Sequence, residues 1–269
     1  MNLEYILNRL WADYIYQNPS AGKIYNLFKT EGETIVNDHI AFRTLDQSGI
    51  SIDVLSKQFI KNGYIQKGEY DFKEKHLFAK HFELPGRVNN PRVFISQLIL
   101  ADCSQYIQKN FSELLEKIDH KKFESDDLIF SGPIFNPLSY EIYTKMREES
   151  EYAAWFYIFG FRANHFTVNI NSLTTYNNIY KVNELLKKNG FTLNSSGGEV
   201  KGTPYDLLQQ SSTMADIVEV KFLEGIYEVP ACYYEFAQRY PDSNGQLYSG
   251  FVTKSADKIF ESTHFYRKK

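Results

Sequence analysis

The sequence predicts an α+β fold made of two paired βαβββ modules with additional flanking helices. Three observations carry that expectation: an internal repeat, an alternating strand that opens each copy, and a glycine-capped helix that follows it. In the first copy Asn37-Asp38-His39-Ile40-Ala41-Phe42-Arg43 alternates apolar and polar residues, helical spacing follows over 50–60, and Lys61-Asn62-Gly63-Tyr64 closes it. In the second copy Ala163-Asn164-His165-Phe166-Thr167-Val168-Asn169 leads to helical spacing over 179–186, closed by Lys188-Asn189-Gly190-Phe191. The capping glycine comes 24 positions after His39 and 25 after His165, so the copies share register as well as composition.

The elements follow in order. An amphipathic pattern over 4–28 predicts an N-terminal helix. After the first cap, β-branched and aromatic runs over 69–72, 77–84 and 92–100, separated by Pro85-Gly86 and Pro91, predict three strands. Helical spacing over 104–117 and 140–156 fills the connection to the second copy. There, strands are expected over 216–223 and 231–240, with a looser region around Ser195-Ser196-Gly197-Gly198 and Gly202 to Pro204, and a short helix over 256–260. The chain thus reads as one structural unit over 1–269. Its parts are a helical segment (1–36), a first module (37–100), a helical connection (101–160), a second module (161–240) and a C-terminal segment (241–269).

Composition narrows the function classes. With 30 Lys+Arg against 33 Asp+Glu the net charge is -3, which argues against a nucleic-acid partner. No apolar run reaches the roughly 20 residues of a membrane span, and the N-terminus carries Glu4, Arg9 and Asp13 inside its apolar pattern, unlike a signal peptide. A cytoplasmic protein is the expectation. Cys103 and Cys232 are too few for a disulfide framework and lack the CxxC spacing of a zinc or redox site. No Gly-rich nucleotide loop and no GxSxG nucleophile elbow occurs. The 20 Tyr and 21 Phe fit either a heavily aromatic core or a homodimer face.

Alternation along a strand puts every second side chain on one face. His39, Ala41 and Arg43 therefore point together, as do His165, Thr167 and Asn169, and Tyr233, Glu235, Ala237 and Arg239. Two modules joined into a half-barrel would line one cavity with both histidines and a carboxylate from the last strand. Two His and one carboxylate leave three positions of an octahedral metal open, the arrangement of non-heme Fe(II) oxygenases; the same donors also suit Zn(II) or Mn(II). Glu219 is an alternative third ligand. His76 and His81 fall on opposite faces of one strand, and His120 and His264 read as solvated. Arg43, four residues beyond His39, would require an anion if it points into the cavity. Ser255 could open a helix whose free N–H groups attract a carboxylate.

Together, Asn37-Asp38-His39-Ile40-Ala41-Phe42-Arg43-Thr44, Asn164-His165-Phe166-Thr167, Tyr233-Tyr234-Glu235-Phe236-Ala237-Gln238-Arg239 and Ser255-Ala256 with Ile259-Phe260 resemble the 2-oxoadipate dioxygenase/decarboxylase family. That family is related in fold to the vicinal oxygen chelate enzymes, so the resemblance implies a vicinal-oxygen-chelate-like half-barrel. It also implies Fe(II) held by His39, His165 and Glu235, with Zn, Ni or Mn as metals that could replace it. Arg43 would grip the distal carboxylate of a 2-oxo diacid and Ser255 would touch the substrate. The implied reaction uses O2 to convert 2-oxoadipate to 2-hydroxyglutarate and CO2, a step of lysine catabolism. Further pocket candidates are Lys80, Gln97, Ser211, Ser212 and Tyr233. The chain is short for that family, with only 20 positions from Glu235 to Ser255, and Lys254 stands where an apolar residue is usual. Two other readings share the fold: a redox-silent metalloenzyme (isomerase, lyase or hydrolase) and a non-catalytic small-molecule binding module.

Overall fold

A computed structural model describes residues 1–87 and 89–263; His264 lies outside them. The N-terminal pattern forms two helices, α1 (Leu3–Gln17) and α2 (Pro19–Thr30), where the spacing predicts one. Pro19 has no N–H to continue α1 but suits the first position of a new helix, and Asn18 bridges them in a non-helical conformation. Strand β1 (Asn37–Leu45) leads to a helical stretch divided at Ser56 into α3 (Ile52–Leu55) and α4 (Lys57–Lys61). Then come β2 (Ile65–Phe72), β3 (Leu77–Glu83), β4 (Arg92–Leu98) and α5 (Gln105–Glu116).

The helix expected over 140–156 is also two, α6 (Tyr140–Glu149) and α7 (Glu151–Phe159). Ser150 takes an extended conformation between them and caps α7 by accepting from the Ala153 N–H at 3.2 Å. Strand β5 (Ala163–Asn169) and helix α8 (Ile179–Lys188) repeat the opening of the first module. They are followed by β6 (Leu208–Ser212), β7 (Ile217–Phe222), β8 (Gly225–Pro230), β9 (Glu235–Arg239) and α9 (Thr253–Phe260).

Seven strands form one sheet in the order β2-β3-β4-β1-β5-β9-β6. At its centre β1 and β5 run antiparallel, and each is flanked by a parallel strand, β4 beside β1 and β9 beside β5. The second module departs from the expected βαβββ. Its stretch 216–223 leaves the sheet as the separate β7–β8 hairpin, and its last strand shrinks from 231–240 to Glu235–Arg239. In their place β6 pairs with β9, from a segment, LQQSS, that lacks the apolar alternation of a half-buried strand because all five side chains are buried. The bridges Leu193–Thr213 and Lys201–Gln210 run along β6 much as β2 runs along β3.

The sheet is strongly curled. Helix α9 touches both edge strands, β2 and β6. A flat sheet of seven strands would separate those edges by about 29 Å, whereas eight helical residues span about 12 Å. On the convex side Trp11 and Tyr14 of α1 pack on Phe166, Phe28 of α2 on Phe236, and Phe59 of α4 on Phe42. The concave side receives Phe251 and α9. Most of the aromatic content is therefore core, and both cysteines are buried and free.

Candidate active site

The centre of the concave face holds three candidate ligand residues, His39, His165 and Glu235. His39 Nε2 lies 3.4 Å from His165 Nε2 and 3.6 Å from Glu235 Oε1, and His165 Nε2 lies 3.3 Å from Glu235 Oε2. All three residues are buried, and among the described residues this is the group of His, Cys, Asp or Glu that could hold a metal ion. Sheet pairing explains the convergence: His165 sits opposite Ala41, Thr167 opposite His39, and Glu235 beside Thr167.

Each histidine is oriented by the residue before it. Asp38 Oδ1 lies 2.8 Å from His39 Nδ1, and Asn164 Oδ1 lies 3.0 Å from His165 Nδ1. Strict alternation would turn Asp38 and Asn164 away. The β1–β5 register, however, slips at both, passing from Asn37 to His39 and from His165 to Ala163. Such bulges re-aim side chains beside active sites. With both Nδ1–H groups donating outward, both Nε2 atoms are left unprotonated within 3.6 Å of a Glu235 oxygen, His39 Nε2 also lying 3.1 Å from Thr167 Oγ1. This is the tautomer a metal ligand needs.

The electrostatics agree with a cation between these groups. Burial lowers the pKa of His39 despite the opposing Asp38, and lowers that of His165 well below its ordinary value with His39 and Arg43 acting the same way. Burial raises Glu235 to about 8, although Gln210 Nε2 donates to its Oε1 at 2.5 Å. Without a cation the pocket disfavours the carboxylate charge; a divalent ion would reverse that. Donors bound at roughly 2.0–2.2 Å to one ion would stand about 3.0–3.5 Å apart, close to the separations seen here, so the residues fit a bound metal.

The first cover of the site is aromatic. The Tyr233 ring stacks on His165 with centroids 4.8 Å apart, and Phe251 meets His39 edge-on at 4.8 Å. Arg43 is 2% exposed, and its Nε and Nη1 hydrogens have no acceptor among the described residues. Its guanidinium instead lies over Tyr152, Trp155 and Phe260, at 4.9, 5.1 and 5.8 Å from their ring centres. A cavity of about 240 Å³, lined by Arg43, His76, Arg147, Tyr152, Phe260 and others, reaches it. A buried cation in this state is costly unless an anion arrives.

Other candidates are placed differently. Lys80 and Gln97 lie on the convex face: Lys80 pairs with Ile95 and holds Asp53 at 3.0 Å, and Gln97 pairs with Thr44 and accepts from the Ile52 N–H. Both are one residue out of phase with His81, Phe94 and Ser96, which face the site, so neither belongs to the pocket. Ser255 is buried but does not cap a helix. It lies in the first turn of α9, its N–H bonds Val252 O at 3.1 Å, and its Oγ faces Gly202. Glu219 stands on the separate hairpin opposite Glu228, away from the site. Ser211 bonds Asn183 behind the sheet, whereas Ser212 shares the face of Glu235 and bonds Ser262. His81 is bound by Tyr70 and Glu83, and His76 sits in the turn before β3.

Sequence reasoning missed Asp38, Asn164, Gln210 and Lys201. Lys201 is buried, donates to Asn194 O at 2.5 Å, and is pushed down to about 8 by burial against the opposing pull of Glu235. The dipeptides Asp38-His39 and Asn164-His165 were the available signal for the first two.

The model of the 2-oxoadipate dioxygenase/decarboxylase family matches residues 7–245. The chain belongs to this family. It is 34% identical to the chloroplastic 2-oxoadipate dioxygenase/decarboxylase of Arabidopsis thaliana, over 96% of this chain and 76% of that protein. Among solved structures, the hydroxyglutarate synthase of Oryza sativa in complex with 2-oxoadipate is 32% identical with a TM-score of 0.90, covering 96% of this chain and 91% of that one. A protein of Shewanella frigidimarina NCIMB 400, provisionally described as a hydrolase, is 48% identical with a TM-score of 0.88, covering 93% and 97%. The half-barrel also matches a Ralstonia eutropha JMP134 protein provisionally placed in the glyoxalase superfamily, at a TM-score of 0.74, 16% identity and coverage of 90% and 83%. That last likeness concerns the fold alone.

Proposed function

We propose that the protein is an Fe(II)-dependent dioxygenase and decarboxylase that turns 2-oxoadipate and O2 into 2-hydroxyglutarate and CO2. The observation that carries the proposal is the pairing, on strand β1, of a metal ligand, His39, with a buried guanidinium, Arg43, whose Nε and Nη1 have no acceptor among the described residues. Family membership, and the names of the Arabidopsis and Oryza relatives, support the same substrate. His39, His165 and Glu235 would hold the metal, which when bound supplies open positions for a 2-oxo carboxylate and for O2.

The protein's own groups do the rest. Asp38 and Asn164 keep both imidazoles in the ligating tautomer. The Arg43 guanidinium receives the distal carboxylate, an acceptor that its Nη1 lacks among the described residues. Four residues of strand put the Cα atoms of His39 and Arg43 about 13 Å apart, a gap suited to a diacid held at both ends. Tyr233 and Phe251 wall the metal site from water, and the rings of Tyr152, Trp155 and Phe260 surround the Arg43 guanidinium, an apolar setting that strengthens its grip on an anion.

The test compares Fe(II)-loaded and Zn(II)-loaded protein, in air and under nitrogen. Turnover of 2-oxoadipate only with Fe(II) and only in air is expected. Equal turnover with Zn(II) under nitrogen would instead establish redox-silent chemistry on this fold.

A further inference from the structure

We infer that Arg239 and Asp38 are positioning residues that tie the orientation of His39 to the closure of the 248–251 segment over the metal site. This rests on the metal reading of His39, His165 and Glu235 given above. Arg239 is buried, and its guanidinium divides its hydrogen bonds between two targets. Nε donates to Asp38 Oδ2 at 2.7 Å and Nη2 to Asp38 Oδ1 at 2.9 Å, a two-pronged grip on one carboxylate. Nη1 donates to Tyr248 O at 3.0 Å and Gly250 O at 2.7 Å.

Both ends of this link reach His39. Asp38, wholly buried, accepts from His39 Nδ1 through the same Oδ1 that Arg239 holds, so the guanidinium fixes the carboxylate that fixes the imidazole. Arg92 Nη1, 3.4 Å from Asp38 Oδ2, closes the fourth side. At the other end the pinned carbonyls lie just before Phe251, whose N–H donates to Tyr70 Oη at 3.1 Å and whose ring stands edge-on to His39. Arg239 lies over the same ring, 5.2 Å from its centre. Among the described residues His165 has no equivalent: its orienting partner Asn164 is a neutral amide whose Nδ2 finds no acceptor there. The two bulges are alike in backbone, but only one is wired to the cover.

The wiring separates two effects. In Asp38→Asn the His39 Nδ1 keeps at most a neutral amide oxygen, as His165 does at Asn164, and the charged two-pronged grip that fixes it is broken, while Arg239 keeps its carbonyls. In Arg239→Gln both are lost. Metal-ligand positioning partners of this kind change metal affinity by roughly 10- to 100-fold.

The experiment titrates apo protein with Co(II) under nitrogen against a competing chelator, and follows hydrogen exchange at the amides of 247–252. The variants are Asp38→Asn, Arg239→Gln, Arg239→Lys and the double Asp38→Asn/Arg239→Gln, which leaves no unpaired charge if a single variant fails to fold. Asp38→Asn is expected to lower Co(II) affinity 10- to 100-fold with the segment still protected. Arg239→Gln and the double variant should lower affinity and also expose the segment, and Arg239→Lys should recover part of both. Wild-type affinity in folded Asp38→Asn and in the double variant would overturn the inference. A wild-type protein that binds no stoichiometric Co(II), or a His39→Ala protein that binds it normally, would remove the metal reading and this inference with it.

Discussion

Replacing Arg43 by Met removes the cation while keeping most of the stem that packs on Tyr152 and Trp155. If the guanidinium grips the distal carboxylate end-on through Nη1 and Nη2, two charge-assisted hydrogen bonds of about 1.5–3 kcal/mol each are lost. At about 1.4 kcal/mol per decade this lowers kcat/KM for 2-oxoadipate by roughly 10²- to 10⁴-fold. The assay is O2 uptake by Fe(II)-loaded protein with 2-oxoadipate and with 2-oxohexanoate, which has the same carbon chain without the distal carboxylate. The wild type should prefer the diacid strongly, and Arg43→Met should abolish the preference while leaving the poor turnover of the monoacid nearly unchanged. Thermal stability should stay level or rise, because a buried guanidinium with Nε and Nη1 lacking an acceptor among the described residues costs stability that its ring contacts only partly return. Equal loss on both acids, or full retention of the diacid, would refute this role for Arg43.

Three further outcomes follow from the fold. Glu33 accepts from the N–H groups of Thr174, Thr175 and Tyr176, and although burial opposes ionisation these bonds lower its pKa; Glu33→Gln should cost about 1–3 kcal/mol in urea unfolding. Because that pKa is depressed, the stabilisation is present above the unfolded value of about 4.3 and lost as pH falls through the folded one, so the gap between wild type and variant should close in acid. Lys201, held down to about 8 by burial, is already deprotonated where the unfolded chain still binds its proton, so stability should gain from pH 8 toward roughly 10. Lys201→Met should lack that gain, which denaturation midpoints at pH 8 and 9.5 would measure. Gly160→Ala should destabilise by more than about 2 kcal/mol or prevent folding, since Gly160 has φ 57° and a Cβ there would collide with Gly132 O; a melting temperature equal to wild type would contradict the packing described.

The repeat made the centre of the fold legible, because β1 and β5 obey the two-residue period and carry the histidines at matching positions. Glu235 followed from the same alternation on the last strand. Where the period fails, the reading fails. Asp38 and Asn164 sit at bulges, which no alternation rule anticipates, and Lys80 and Gln97 were assigned a face without a neighbouring strand to fix their phase. Strand β6 was hidden because every side chain of Leu208–Ser212 is buried, four of them polar. Pro19 and Ser150 divide helices whose apolar periodicity runs through the break. Arg239 was visible only as one more residue on the face of Glu235; its grip on Asp38, 201 positions away in sequence, needs the folded chain.

The most direct test of the whole account is a mass balance. Protein purified without oxygen, loaded with Fe(II) and supplied with 2-oxoadipate should consume one O2 and release one CO2 for each 2-hydroxyglutarate formed, and His165→Ala should do none of this. O2 uptake without matching CO2 and 2-hydroxyglutarate, or an unchanged balance in His165→Ala, would contradict it.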